Sequence, residues 1–147
     1  MIRFSKREDY SVIIIHKLAL EYNKRLVPLS EIADEYKISL LFLRNLAREL
    51  KTAGLIKANE GKSGGYYLTK NPKDILLGDI LKVFVKDRLL ECCPAIRQKN
   101  NPRICPKKGH CVTGNLWRKL NKEFIDKVYL LSLTDFMDQA TSMRNSI

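Results

Sequence analysis

The chain has 147 residues, 45% of them hydrophobic, and 27 Lys and Arg against 16 Asp and Glu give it a formal net charge of +11. That length suits one domain, or one domain plus an oligomerisation element, and the charge favours a polyanionic partner such as nucleic acid. No apolar run approaches the roughly 20 residues that span a bilayer, and Met1-Ile2-Arg3-Phe4-Ser5-Lys6 lacks the apolar stretch of a signal peptide, so the sequence predicts a cytoplasmic protein with no membrane partner.

Ser5-Lys6-Arg7-Glu8 has the pattern of a capping box, with Ser5 as N-cap and Glu8 reaching back. The helix it starts is expected to run to about Asn23 and to bury Tyr10, Val12, Ile13, Ile14, Leu18 and Ala19. His16 lies among these apolar residues and reads as structural. A second short helix begins near Ser30 with Ile32, Ala33 and Tyr36. Ser39 caps a third, in which Leu43, Leu46, Ala47 and Leu50 repeat at helical spacing and Gly54 ends the run. Two short strands follow, at Leu55–Asn59 and Tyr66–Thr69, around the turn-rich tip Glu60–Gly65, which is the pattern of a β-hairpin. Asn71-Pro72 closes the hairpin and introduces a helix from Ile75 to about Val85.

All four cysteines, Cys92, Cys93, Cys105 and Cys111, then fall in one window. From Cys92 to Lys122 there are eight basic residues and no acidic one, and Pro94, Pro102, Pro106, Gly109 and Gly114 mark the start of this stretch as a loop. Positive surroundings favour thiolate over thiol, and thiolate is the form that binds soft metals and iron–sulfur clusters. Structural disulfides are rare in the cytoplasm, which turns the cluster of cysteines toward metal, iron–sulfur or redox chemistry. Beyond it, Leu116, Leu120, Phe124, Val128 and Leu131 recur at helical spacing. They define an amphipathic helix from about Val112 to Leu131, ~28 Å long, too long to lie hidden on so small a domain and hence a dimerisation face. Ser132-Leu133-Thr134-Asp135 marks a break and a re-capped last helix. The fold class expected is mainly α with a small β-hairpin wing: a winged helix-turn-helix over residues 1–77, a connecting helix and cysteine-rich loop over 78–111, and a dimerisation helix with a C-terminal helix over 112–147.

Three short helices and a hairpin form the plan of a winged helix-turn-helix. The third helix has two faces, with Leu43, Leu46, Ala47 and Leu50 inward and Leu41, Phe42, Arg44, Asn45, Arg48 and Lys51 outward. Arg44 and Asn45 suit bidentate contacts with guanine and adenine edges, and an exposed Leu41 or Phe42 suits thymine methyls. Arg48 and Lys51 suit phosphates, which position the helix. The wing tip adds Lys62, Ser63 and Gly64, and Ser39 stands at the start of the reading helix. One of Tyr66 and Tyr67 is expected to anchor the wing in the core. A solvated amphipathic helix alone would explain the outward charge, but not the adjoining wing. The predicted partner is a double-stranded DNA operator, pseudo-palindromic because the protein is expected to be a homodimer. No catalytic triad, phosphate loop or paired-carboxylate site is present, so no enzyme is predicted.

The runs Val27-Pro28-Leu29-Ser30-Glu31-Ile32-Ala33, Ile38 to Leu46, Gly54-Leu55-Ile56 and Gly61-Lys62-Ser63-Gly64-Gly65-Tyr66-Tyr67-Leu68 resemble the Rrf2 family of bacterial transcription regulators, which includes IscR-like, NsrR-like, RirA-like and CymR-like proteins. The resemblance covers nearly the whole chain, and the Gly64-Gly65-Tyr66 wing is its most specific part. It implies a dimer whose operator affinity is controlled by an iron–sulfur cluster (2Fe-2S or 4Fe-4S) sensing redox, nitric oxide or iron and cluster status. Many cluster-binding members space three cysteines as Cys-x5-Cys-x5-Cys. Here Cys105 and Cys111 keep that spacing, but Lys99 stands six before Cys105 and the third cysteine is Cys93 at x11, with Cys92 its alternative. The histidine that IscR-like members place three positions after the last cysteine is Gly114 here, and His110 lies on the other side of Cys111. NsrR-like members use an Asp followed by Tyr, supplied by the other subunit, which matches Asp9-Tyr10. Asp9 also reads as a first-turn acid favoured by the helix dipole. The fourth ligand is thus open among Asp9 of the partner subunit, Cys92 and His110. Zinc or thiol switching at the same cysteines, or a CymR-like role in protein interaction, are the alternatives.

Overall fold

A computed structural model describes residues 5–84 and 112–144. All four cysteines and His110 lie outside these residues. The first helix, α1, spans Lys6–Leu20. The Ser5 hydroxyl accepts the Arg7 N–H at 3.3 Å, and the buried Glu8 carboxylate accepts the Ser5 hydroxyl proton. Glu8 therefore closes on the Ser5 side chain, where the sequence pattern predicted a bond to its backbone. The helix stops three residues short of Asn23 because residues 21–24 turn away, with Asn23 itself at φ 59°. Lys24 Nζ donates to the Leu20 carbonyl at 2.9 Å, which satisfies one of the carbonyls that every helix end leaves unpaired.

The second helix, α2, spans Leu29–Tyr36, and α3 spans Leu40–Thr52. Between them Lys37 takes the left-handed conformation at φ 55°, and the Ile38 N–H donates to the Ala33 carbonyl at 3.1 Å. This tight stop is what lets α3 leave at an angle. Ser39 holds the N-cap position of α3, but its side chain makes no cap bond; its carbonyl accepts the Leu43 N–H at 3.0 Å. Lys17 on α1 donates to Glu35 at 2.6 Å and lies 3.5 Å from Glu31, which Arg25 also holds at 2.7 Å. The hydrogen bond from Arg25 lowers the Glu31 pKa to about 2.

The hairpin pairs β1, Ile56–Asn59, antiparallel with β2, Gly65–Leu68, in the register Ile56–Leu68, Lys57–Tyr67, Ala58–Tyr66 and Asn59–Gly65. Period-2 alternation puts Ile56 and Leu68 on the inner face, where both are buried. Tyr66 is the anchor. Its ring packs against the core, and its backbone exchanges hydrogen bonds with Val27 at 2.8 and 3.1 Å.

A single 3-10 turn at Pro72–Asp74 precedes α4, Leu77–Phe84. The helix begins two residues later than Ile75 because Ile75 and Leu77 are already engaged. The Ile75 carbonyl accepts the Leu133 N–H, and the Leu77 N–H donates to the Leu131 carbonyl, both at 2.8 Å. The last two helices are α5, Val112–Tyr129, and α6, Leu133–Arg144. Ser132 re-caps the chain as expected: its hydroxyl accepts the Asp135 N–H at 3.1 Å and donates to the Asp135 carboxylate at 2.6 Å. Gly78 permits the junction, since a Cβ there would lie 2.7 Å from the Tyr129 carbonyl oxygen. Ile14, Ile15, Leu18, Ile32, Leu43, Leu46, Leu50, Ile56, Ile75, Ile80, Leu81 and Leu133 form one buried core drawn from both ends of the chain. Among the described residues the architecture is six α-helices with a two-stranded hairpin, a winged helix-turn-helix continued by a long helix. No helix of the described residues is long and apolar enough to cross a membrane.

Candidate nucleic-acid interface

The third helix carries the site. Burying Leu43, Leu46, Ala47 and Leu50 fixes its roll, because residues three and four apart share one face. That roll leaves Arg44, Asn45, Arg48 and Lys51 exposed, and Leu41 at the start of the helix is 68% exposed. Ser39 is exposed beside it with its hydroxyl uncommitted to the cap. These six residues stand where the sequence placed them.

Phe42 does not. The outward position predicted for it is corrected by the structure, in which it is half-buried and meets Tyr10 of α1 edge-on, ring centroids 5.8 Å apart at 86°. An aromatic edge against a ring face is favourable, and α1 supplies that face where a helix considered alone shows only solvent.

The wing lies next in the chain, and Lys62 and Ser63 are exposed at its tip. Gly61 adopts φ 118° and accepts the Gly64 N–H at 3.0 Å. A Cβ on Gly64 would come within 2.3 Å of the Asn59 carbonyl oxygen, so the tip closes only with glycine there. Gly64 is thus half-buried and shapes the turn that presents Lys62 and Ser63.

One contact on this face has no local sequence signal. Arg7 of α1 reaches across to Glu49 of α3, with Nη2 at 2.5 and 2.6 Å from the two carboxylate oxygens. The same guanidinium lies over the Phe84 ring at the end of α4, 5.5 Å from its centroid.

Of the residues considered as metal ligands, only Asp9 is described. It is exposed in the first turn of α1, and its carboxylate has no hydrogen bond or ion pair among the described residues. It borders a cleft of about 310 Å³ floored by Val12, Leu77, Leu81 and Phe136. A carboxylate oxygen binds a soft site more weakly than a thiolate does, and the cysteines that would make such a site lie outside the described residues. Among the described residues alone, no three His, Cys, Asp or Glu converge on one point.

Residues 4–139 match the family described as Rrf2, iron-dependent transcriptional regulator. The protein rrf2 of Nitratidesulfovibrio vulgaris is 28% identical over 141 residues, 95% of this chain and 90% of its own length. The HTH-type transcriptional regulator IscR of Pectobacterium atrosepticum is 28% identical over 137 residues, 93% and 80% of the two chains. Among solved structures, CymR, the global cysteine regulator of B. subtilis, superposes with a TM-score of 0.73 at 25% identity, covering 95% of this chain and 98% of that one. With the two-faced third helix, the glycine-shaped wing and a match spanning nearly every residue, this chain belongs to the Rrf2 family of transcriptional regulators.

Proposed function

We propose that the chain is a homodimeric operator-binding regulator whose DNA affinity is set by an iron–sulfur cluster on its cysteines. The observation that carries the DNA part is the exposed row Arg44, Asn45, Arg48 and Lys51 beside the wing residues Lys62 and Ser63. In this reading α3 enters the major groove. Arg44 and Asn45 take base edges, Leu41 takes thymine methyls, and Ser39, Arg48, Lys51 and Lys62 take phosphates. Dimerisation uses the outer stripe of α5, where Leu116 is 53% and Leu120 40% exposed. A dimer matches half-sites about one helical turn apart, so a pseudo-palindromic operator follows.

Cys93, Cys105 and Cys111 hold the cluster, and the fourth position falls to Asp9 of the partner subunit, to Cys92 or to His110. When bound, the cluster supplies a centre whose oxidation and integrity respond to redox, nitric oxide or iron status. This chain's residues translate that response by moving the helices on either side of the cysteine segment, α4 and α5. The second reading replaces the cluster with zinc or thiol switching, favoured by the similarity to CymR of Staphylococcus aureus, whose solved structures include an oxidized form. Zinc would take the same thiolates tetrahedrally.

Purification without oxygen, followed by a visible spectrum and by iron and sulfide counts, separates the two. A brown protein with acid-labile sulfide, made colourless by combined C93A, C105A and C111A, is expected. Stoichiometric zinc without sulfide would replace the cluster by the second reading. Failure of the protein to be retained on duplex DNA in a salt-dependent way would favour a CymR-like role in protein interaction.

A further inference from the structure

Glu49 is the sole acidic residue of α3, next in sequence to Arg48 on the helix that carries Arg44, Arg48 and Lys51. Left alone, its carboxylate would oppose the phosphates that those cations attract. It is not left alone, because one Nη of Arg7 bridges both of its oxygens. Arg7 in turn rests against Phe84 of α4. A guanidinium over an aromatic face is held by the ring quadrupole, so the ring's position decides where the guanidinium sits. One side chain therefore joins the DNA-reading helix to α4.

We propose that Arg7 is a positioning residue for DNA binding: it neutralises and orients Glu49, and the Phe84 ring of α4 holds its guanidinium in place. The Arg7 and Glu49 side chains are 51% and 39% exposed, and exposed ion pairs add little to folding stability. The effect of Arg7 is therefore on where charge sits, and its variants keep their fold.

The test measures affinity for a duplex selected from random sequence by the wild-type protein, and for an unselected duplex. The variants are R7M, E49Q, the double variant R7M/E49Q, and F84L. Removing Arg7 alone exposes Glu49 and should weaken binding to both duplexes by roughly three- to tenfold, the scale on which one charge alters phosphate attraction. Adding E49Q should restore most of that loss, although it removes a second side chain. A double variant as weak as R7M would mean that Arg7 acts only structurally and would overturn the assignment, as would an R7M that binds like wild type.

F84L, which takes the ring away from the guanidinium, should weaken binding to both duplexes in the same direction as R7M and lose that effect when combined with E49Q. An F84L protein that binds like wild type would overturn the part assigned to Phe84.

Discussion

Glu8 and Asp9 are neighbours in sequence and opposites in environment. Glu8 is buried and committed to Ser5, whereas Asp9 is exposed, unpaired among the described residues and set at the rim of the cleft. A carboxylate that ligates from the partner subunit must be free to reach outward, and of the two only Asp9 is. Asp9→Ala removes a helix-dipole interaction of about 0.3–1 kcal/mol and should leave folding and dimerisation intact while changing the cluster's spectrum or its decay in air. Glu8→Ala loses a cap interaction of about 1 kcal/mol, lowers the melting temperature, and should leave that decay unchanged. Stopped aerobic decay of the visible absorbance distinguishes the two. An effect from Glu8→Ala alone would move the ligand by one residue, and no effect from either would leave Cys92 or His110.

At the scale of elements, α3 shows how far a helical stripe can be trusted. Leu43, Leu46, Ala47 and Leu50 lie inside and Arg44, Asn45, Arg48 and Lys51 outside, as their spacing requires. Phe42 sits on the boundary between the faces, and its side is decided by Tyr10 on another element. The two classes of residue should respond differently. Arg44→Ala or Asn45→Ala should cost roughly 1–3 kcal/mol in operator binding and relax specificity at one base pair, with the melting temperature unchanged. Lys62→Ala should weaken all sequences alike and reduce the salt slope by about one. Phe42→Ala should lower the melting temperature through loss of an aromatic pair worth about 0.5–1.5 kcal/mol beyond its buried area, while the ratio of operator to random binding stays at its wild-type value. Binding isotherms at two salt concentrations, with thermal melts, check all three.

Across the whole molecule, the two ends of the chain share one core. Leu133 is fully buried in the same core cluster as residues of α1, α3 and α4, and the bonds between residues 75–77 and 131–133 tie the start of α6 to the start of α4. At the end of α5, Val128 and Tyr129 pack against that core, whereas Leu116 and Leu120 are exposed. A helix of 18 residues is ~27 Å long; its last turn packs on this domain, and among the described residues nothing covers Leu116 and Leu120. Leu120→Glu places a charge in that outer stripe and should shift a dimer to monomer in sedimentation while the melting of the winged-helix core changes little. A Leu120→Glu protein that still sediments as a dimer would move the interface to another face.

The sequence alone determined the elements whose signals are local. Cap residues at Ser5 and Ser132, helical stripes in α3 and α5, and the glycine-rich tip between two short strands each act within a few residues, so they can be read without the fold; the burial expected in α1 held for Ile14 and Leu18 and missed Ile15. It also determined that Arg44, Asn45, Arg48 and Lys51 stand outward, because four buried positions at three- and four-residue spacing leave one roll for the helix. The tertiary structure decided what depends on residues far apart in the chain. The start of α4 waits on hydrogen bonds to residues 131 and 133, Phe42 turns inward because α1 offers a ring, and Arg7 finds Glu49 and Phe84 only once three helices have packed. No period or motif encodes such contacts, since their partners are brought together by burial of the common core.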